Sequence, residues 1–343
     1  MKVTIRDVAE RAGVSPATVS RVLNKPELVE PDTKQRVREA MEALDFQPNA
    51  IARGLSSKQI DTLGLVIPGI NNFFFTELYR GIERASRENG MKVLLFDSQH
   101  SRHRALEGFT FLKQHQVGGI IFTSKLVTED YDPVIERLDI PVVLALTEGK
   151  GKFPLPAFKV DDVKAVFDVV SYLVSRGHRR IGMISGDSEH DMTGTLRLNG
   201  YKAGLNHYGI PFQEQFVDFG DYRFGGGYAA MQRLLQRQNE NRLTAICAAS
   251  DEMAIGAIRC LYDNGLRVPE DMSVVGFDDL SLASMVTPAL TTVAQPFEDI
   301  GARAVECLLQ TIHSKNVTQS SGTYYLPHQL VERESVRSIV NTE

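Results

Sequence analysis

The chain has 343 residues, 43% of them hydrophobic and 24% charged, which is enough for two or three domains and a large core. A net charge of −5 argues against a polybasic nucleic-acid coat, and no apolar run is long enough to span a membrane. Three cysteines, Cys247, Cys260 and Cys307, lie in apolar stretches and exclude a disulfide scaffold. With no cleavable signal peptide and no metal-ligand spacing, the expected compartment is cytoplasmic and no cofactor or metal is expected. The charge is uneven: residues 1–60 carry a net +2 and the remainder a net −7. A slightly basic head on an acidic body suits modest, orientation-dependent contact with DNA.

Residues 4–24, TIRDVAERAGVSPATVSRVLN, read as two short helices around a tight turn. Thr4 and Asp7 suit a short-armed capping box, and Val8, Ala9 and Ala12 form a buried stripe. Gly13 makes the turn. Ser15 suits the N-cap of the second helix and Pro16 its first position. Val19, Val22 and Leu23 recur at inward spacing, so Pro16, Ala17, Thr18, Ser20 and Arg21 face outward. A thin, polar helix tip is what the major groove admits. The plainer reading is an ordinary helical hairpin.

A third helix is predicted at about Asp32–Leu44, with Val37, Ala40, Met41 and Leu44 on one face. QPNAIARGLSSKQIDT follows over residues 47–62, a helix too short to hold alone in water. From Leu63 the pattern turns to α/β. TLGLVIPG, KVLLFDS, VGGIIFTS and PVVLAL read as buried parallel strands alternating with helices. After a helix at about Val163–Ser175 the pattern restarts with RIGMISG, FVDFGD, TAICAAS and SVVGFDD. Right-handed crossovers wind each set into a doubly wound sheet, giving two similar lobes in series. LTTVAQP and one long tail strand at about Gly322–Glu334 imply that the chain crosses back between them. Ligand then belongs in the cleft at the carboxyl ends of the strands.

With headpiece, linker and lobes in this order, the chain resembles the lactose-repressor/galactose-repressor family of transcription regulators, with some closeness to its catabolite-control branch. The resemblance runs from about Val3 to Val336 on TIRDVAERAGVSPATVSRVLN, PNAIARGL, RGHRRIGMISG, SDEMAIGAI, GLRVPEDMSVVGFDD and LTTVAQP. It implies a helix-turn-helix headpiece over 1–47, a hinge helix and linker over 48–60, and a periplasmic-binding-protein-like two-lobed domain over 61–343. The first lobe takes about 61–161 plus 292–322, and the second about 162–291 plus 323–337. It also implies a homodimer on double-stranded operator DNA, with no membrane partner. Positions similar to the family's base readers are Pro16, Ala17 and Arg21, while Thr18, Ser20 and Asn24 fall to phosphates. In the hinge, Asn49 opens the helix and Ala52 lets backbone approach the minor groove. Arg53 contacts phosphate or groove, and Leu55 either wedges into the central base step or packs hinge to hinge.

The cleft candidates follow strands. They are Phe74 and Phe75 after the first strand, Asp161 after FKV, Asp191, Thr193 and Arg197 in DMTGTLRLNGY, Tyr222, Asp251, Asp278 and Gln295. Rings, carboxylates and one arginine suit a small sugar or nucleoside-like effector. Several have a second reading: Asp251 as an N-cap, Arg197 as a surface ion pair, Phe75 as core and Asp278 as a strand end. His178 reads as a helix-end residue and Gly225–Gly227 as a flexible helix start. The expected function is a repressor of a carbohydrate-utilisation operon under effector control. The alternative is a catabolite regulator using a serine-phosphorylated phosphocarrier protein, against which the bulky charge of Arg303 counts. A solute-binding protein suits the lobes but not the headpiece. An enzyme is not expected, because no nucleophile, histidine base or metal cluster accompanies the carboxylates.

Overall fold

The computed structural model describes residues 3–24, 26–46, 61–71, 73–123, 127–186, 192–237, 242–313 and 321–339. Two compact units divide at Asp61 and Thr62. In the first, helix α1 (Ile5–Ala12) starts where the Thr4 amide and hydroxyl donate to the Asp7 carboxylate at 2.7 and 2.8 Å. The bond from the Thr4 backbone, with that from its hydroxyl, holds the Asp7 carboxyl below the ordinary range. Gly13, at φ 63°, lets the Val14 amide turn back to the Ala9 carbonyl at 3.0 Å. The Ser15 hydroxyl accepts the Thr18 amide at 3.1 Å and opens α2 (Pro16–Asn24). Helix α3 (Pro31–Ala43) closes a small core of Val8, Ala9, Ala12, Val19, Val22, Val37 and Ala40. Leu23, Met41 and Leu44 pack on its edge.

The second unit holds two six-stranded sheets. The first sheet runs β11-β5-β4-β3-β1-β2, all parallel. Its strands are β1 (Thr62–Ile67), β2 (Lys92–Asp97), β3 (Ile120–Phe122), β4 (Val142–Ala145), β5 (Pro156–Val160) and β11 (Gly322–Leu326). The second runs β12-β10-β9-β8-β6-β7, with only β12 antiparallel. Its strands are β6 (Ile181–Gly186), β7 (Val217–Gly220), β8 (Ala245–Ala248), β9 (Ser273–Asp278), β10 (Thr291–Ala294) and β12 (Gln329–Val331). Helices α4 (Phe73–Glu88), α5 (Arg102–Gln114) and α6 (Asp132–Leu138) belong to the first lobe. Helices α7 (Asp162–Ser175), α8 (Met192–His207), α9 (Phe224–Arg237), α10 (Asp251–Asp263) and the short α11 (Ser281–Met285) follow in the second. Helix α12 (Phe297–His313) returns to the first lobe, where Phe297, Ile300, Ala304, Val305 and Leu308 join its core. No described helix is long and apolar enough to cross a membrane.

The crossings differ in place from the expected ones. The division at residues 292 and 322–323 is overturned by strand pairing. β10 stays in the second sheet to Ala294, because Thr291–Ala294 pair with Val275–Asp278 in β9. The single tail strand is two: Gly322–Leu326 lies beside β5 and Gln329–Val331 beside β10. Pro327 stands at the break and cannot donate to a ladder. β5 extends the FKV strand expected before Asp161 back to Pro156, and all five of its residues are buried although Lys159 interrupts the apolar run. Gly225–Gly227 form the first turn of α9 and are not a loose start. A Cβ on Gly227 would lie 2.2 Å from the Met253 carbonyl, so the α9–α10 contact needs glycine there.

His178 sits just beyond α7, fully buried, with Nδ1 3.0 Å from Thr244 Oγ1 and Nε2 3.1 Å from the Arg337 carbonyl. It ties the C-terminal tail to the second lobe. Burial depresses its pKa, outweighing the bond to Arg337. The folded chain therefore disfavours protonation. The stabilisation is full above the ordinary value of 6.5 and is lost as pH falls below it toward the depressed value. His178 therefore lowers melting temperature between about pH 7.5 and about pH 5.5, a contribution expected as the difference in slope between the parent and His178→Gln. Equal slopes in the two proteins would assign the pH dependence to other groups.

Candidate functional site

The headpiece presents its second helix as expected. Val19 and Val22 are buried, while Pro16, Ala17 and Arg21 stand exposed on the other face. Thr18 and Ser20 are half-buried. The Thr18 hydroxyl lies 2.9 Å from that of Ser15, so it already serves the helix start. Asn24 is the last residue of α2. Asn49, Ala52, Arg53 and Leu55, the expected hinge residues, lie outside the described residues.

In the two-lobed unit the site assembles around Arg197, on α8. Its Nε donates to Asp162 Oδ1 at 2.8 Å, and its Nη1 donates to the Ala249 carbonyl at 2.5 Å. The guanidinium carbon lies 3.6 Å from the centre of the Phe277 ring, an arrangement that favours the cation. Asp278 Oδ1 is 4.0 Å from Nη1 and accepts Gln295 Nε2 at 2.8 Å. Asp162, the first residue of α7, also takes Lys159 Nζ at 2.9 Å, and that ammonium is 3.9 Å from Glu148. Lys159 comes from β5 of the first lobe, so this ion chain runs across the seam between the lobes. Arg223, after β7, adds a second tie: its Nη1 donates to the Asn71 carbonyl of the first lobe at 3.0 Å and to Glu252 at 3.2 Å. Beside the seam lies a groove of about 470 Å³ bounded by Arg80, Asp279, Ser281, Gln295 and Arg333.

The charges follow from burial and partners. Burial alone would raise the Asp162 pKa, but Arg197 and Lys159 reverse that and hold it below the ordinary carboxylate range. Burial pushes Asp278 up to about 7, against the pull of Arg197 and Gln295. Burial and the nearby Asp278 raise Asp251 well above the ordinary range. Asp278 and Asp279 sit at φ 121° and 57°, and Tyr222 at 66°, conformations that L-residues rarely adopt. Such strain persists only where surrounding contacts impose it.

The sequence candidates divide accordingly. Arg197, Asp278 and Gln295 come together, and Tyr222 packs nearby on the second-lobe core. The surface-pair reading of Arg197 fails, since the residue is 5% exposed. Asp161 caps α7 by accepting the Lys164 amide at 3.0 Å, and the neighbouring Asp162 is the carboxylate that reaches Arg197. Phe75 is core, 5% exposed and beside Tyr79, whereas Phe74 is half-buried and stacks on Phe297 at 6.0 Å. Asp251 is neither cap nor exposed ligand. Ser250 caps α10, and Asp251, fully buried, accepts the Leu280 amide at 2.8 Å and the Thr292 hydroxyl at 2.5 Å. Thr193 is half-buried on the first turn of α8, and Asp191 lies outside the described residues. Sequence reasoning missed Lys159, Asp162 and Phe277. The available signals were the Lys-x-x-Asp spacing in KVDD and the ring directly before the named aspartate in GFDD.

Residues 4–49 match the family described as bacterial regulatory proteins, lacI family, and residues 170–336 match the periplasmic binding protein-like domain. Catabolite control protein A of Priestia megaterium is 39% identical over 98% of this chain and 100% of its own length. The solved lac repressor dimer bound to operator and the anti-inducer ONPF superposes with a TM-score of 0.87 at 28% identity, covering 98% of this chain and all of that one. The complex of the transcriptional regulator CelR with cellobiose gives 0.73 at 30% identity, covering 97% of this chain and 99% of that one. With a helix-turn-helix headpiece, two parallel-sheet lobes and a relative this similar over its whole length, the chain belongs to the lacI family of DNA-binding bacterial transcription regulators.

Proposed function

We propose that the chain acts in the cytoplasm as a homodimeric repressor of a carbohydrate-utilisation operon, with operator affinity set by a small sugar or nucleoside-like effector. Arg197 carries the reading. Its guanidinium is fixed at the seam between the lobes, next to the carboxylate of Asp278, whose backbone stands at φ 121°, and the amide of Gln295. Preorganised donors and acceptors in a cleft are what the hydroxyl pairs of a sugar need. The similarity to CelR, solved with cellobiose, supports the same ligand class. A ligand that holds the lobes together shifts the population of closed unit, and the segment over 48–60 passes that change to the headpiece.

A second reading keeps one observation on its side. The relative at 39% identity is a catabolite control protein, which favours a serine-phosphorylated phosphocarrier protein as corepressor. Against it, Arg303 is exposed on α12 and paired with Glu306 at 3.2 Å, so a bulky ion pair occupies that face. A thermal-shift screen separates the two. One arm holds mono- and disaccharides, nucleosides and purines; the other holds the phosphorylated phosphocarrier. A ligand at a hundredfold excess over Kd stabilises by about 2.7 kcal/mol, a shift of several degrees. A small-molecule hit supports the first reading. Stabilisation by the phosphocarrier, with every small molecule silent, replaces it with the second.

A further inference from the structure

Resting on the small-effector reading above, we infer that the cleft selects an uncharged or cationic polyhydroxyl ligand and rejects phosphorylated or carboxylated ones, with Asp278 enforcing the choice. The buried cations at the seam are already matched. Arg197 and Lys159 share Asp162 at 2.8 and 2.9 Å, and Lys159 has Glu148 at 3.9 Å as well. Arg197 also donates to the Ala249 carbonyl and lies against the Phe277 ring. Nearer the rim, Arg223 is matched by Glu252 at 3.2 Å and Arg333 by Asp279 at 2.6 Å. Among the described residues, an incoming anion meets cations whose charge carboxylates already balance.

Asp278 adds negative charge where a ligand arrives. Its side chain is 11% exposed, against 5% for Arg197 and 3% for Asp162, so it is more open to solvent than either of the two groups it lies beside. Its backbone is held at φ 121° by the Gln295 contact and by the Asp279–Arg333 pair that follows it. A carboxylate held by Gln295 at 2.8 Å and beside Arg197 at 4.0 Å is placed to accept hydroxyl or ammonium donors from a ligand, and it repels an anion. Arg197, Asp162, Glu252 and Asp251 are the charged groups facing it. Burial lifts Asp278 to about 7, and donors from a neutral ligand favour its ionised form. Affinity for such a ligand therefore rises as pH increases toward about 7 and levels off above it.

The test is isothermal titration of the full-length protein with matched probes: glucose, glucosamine and glucose 6-phosphate; cellobiose and cellobionate; adenosine and adenosine 5′-monophosphate. The expected result is binding by a neutral or cationic probe, with its anionic counterpart weaker by about a hundredfold. Asp278→Asn, nearly isosteric, is expected to shrink that gap to less than about tenfold. An anionic probe that binds as well as its neutral counterpart overturns the inference and leaves the small-effector reading standing. So does an unchanged ratio in Asp278→Asn. Silence from every probe of either charge removes the small-effector reading itself, and this inference falls with it.

Discussion

Arg197→Ala is expected to destabilise the two-lobed unit by about 3–5 kcal/mol, because it leaves a buried carboxylate without its main partner. Asp162 is 3% exposed, and Lys159 alone would then have to hold its charge. The same change strips a donor from the Ala249 carbonyl and a cation from the face of Phe277. Thermal and urea unfolding of Arg197→Ala, Asp162→Asn and the double variant measure the effect as a cycle. Part of the loss should vanish in the double variant, where Asp162 no longer carries a charge and Lys159 keeps only Glu148 at 3.9 Å. A melting shift on the order of 10 °C is expected for the single variant. A shift within a degree would mean that solvent or a rearranged Lys159 satisfies Asp162, and that Arg197 serves the ligand alone. Arg197→Lys should not restore stability. A compact ammonium cannot serve Asp162 and the Ala249 carbonyl from one planar fork while lying flat on a ring. The consequence for function is direct. An arginine that also holds the seam cannot be removed as a pure ligand contact, so loss of effector response in Arg197→Ala must be read beside its stability.

That dual role separates what was legible in the sequence from what was not. The headpiece could be read because its signals are local. Thr4 meets Asp7, Ser15 meets Thr18 and Gly13 turns Val14 back to Ala9, all within five residues of their partners. The sheet strands are legible wherever an apolar run is continuous, and of β5 only the FKV end is, because Lys159 breaks the run. The burial of that lysine depends on Asp162 and Glu148, which no periodicity records. At Asp161 and Asp162 the difficulty is one residue of helix phase. The first takes the N-cap and the second turns into the seam, and a sequence pattern does not resolve helix ends that finely. Asp251 was misread for a longer-range reason. Its partner Thr292 is on β10, and the crossover that brings them together is a property of the completed sheet. Long-range polar pairs decide whether a carboxylate is ligand, cap or brace, and residue type alone leaves all three open.

Arg21→Ala is expected to erase discrimination at one base pair of each operator half-site, a loss of about 1–3 kcal/mol per site. Arg21 is the only basic residue of α2, and it stands exposed on the face opposite the buried Val19 and Val22. Pro16 and Ala17, exposed beside it, offer only apolar contact to a thymine methyl, whereas a guanidinium pairs with guanine O6 and N7 at once. The core fixes which way that face points. Val19 and Val22 are packed against Val8, Ala12 and Val37, so the helix cannot roll to offer another side chain without opening the headpiece. Selection of binding sites from random duplexes, followed by anisotropy titrations at fixed salt, gives the test. The variant should bind a family of sites relaxed at one position, with nearly the same dependence of affinity on salt as the parent. If affinity instead falls evenly across all sequences and the salt slope drops by about one, Arg21 touches phosphate and not a base. Specificity would then rest on the apolar tip of α2 and on sequence-dependent deformation of the duplex, which costs energy even at base pairs the protein never touches.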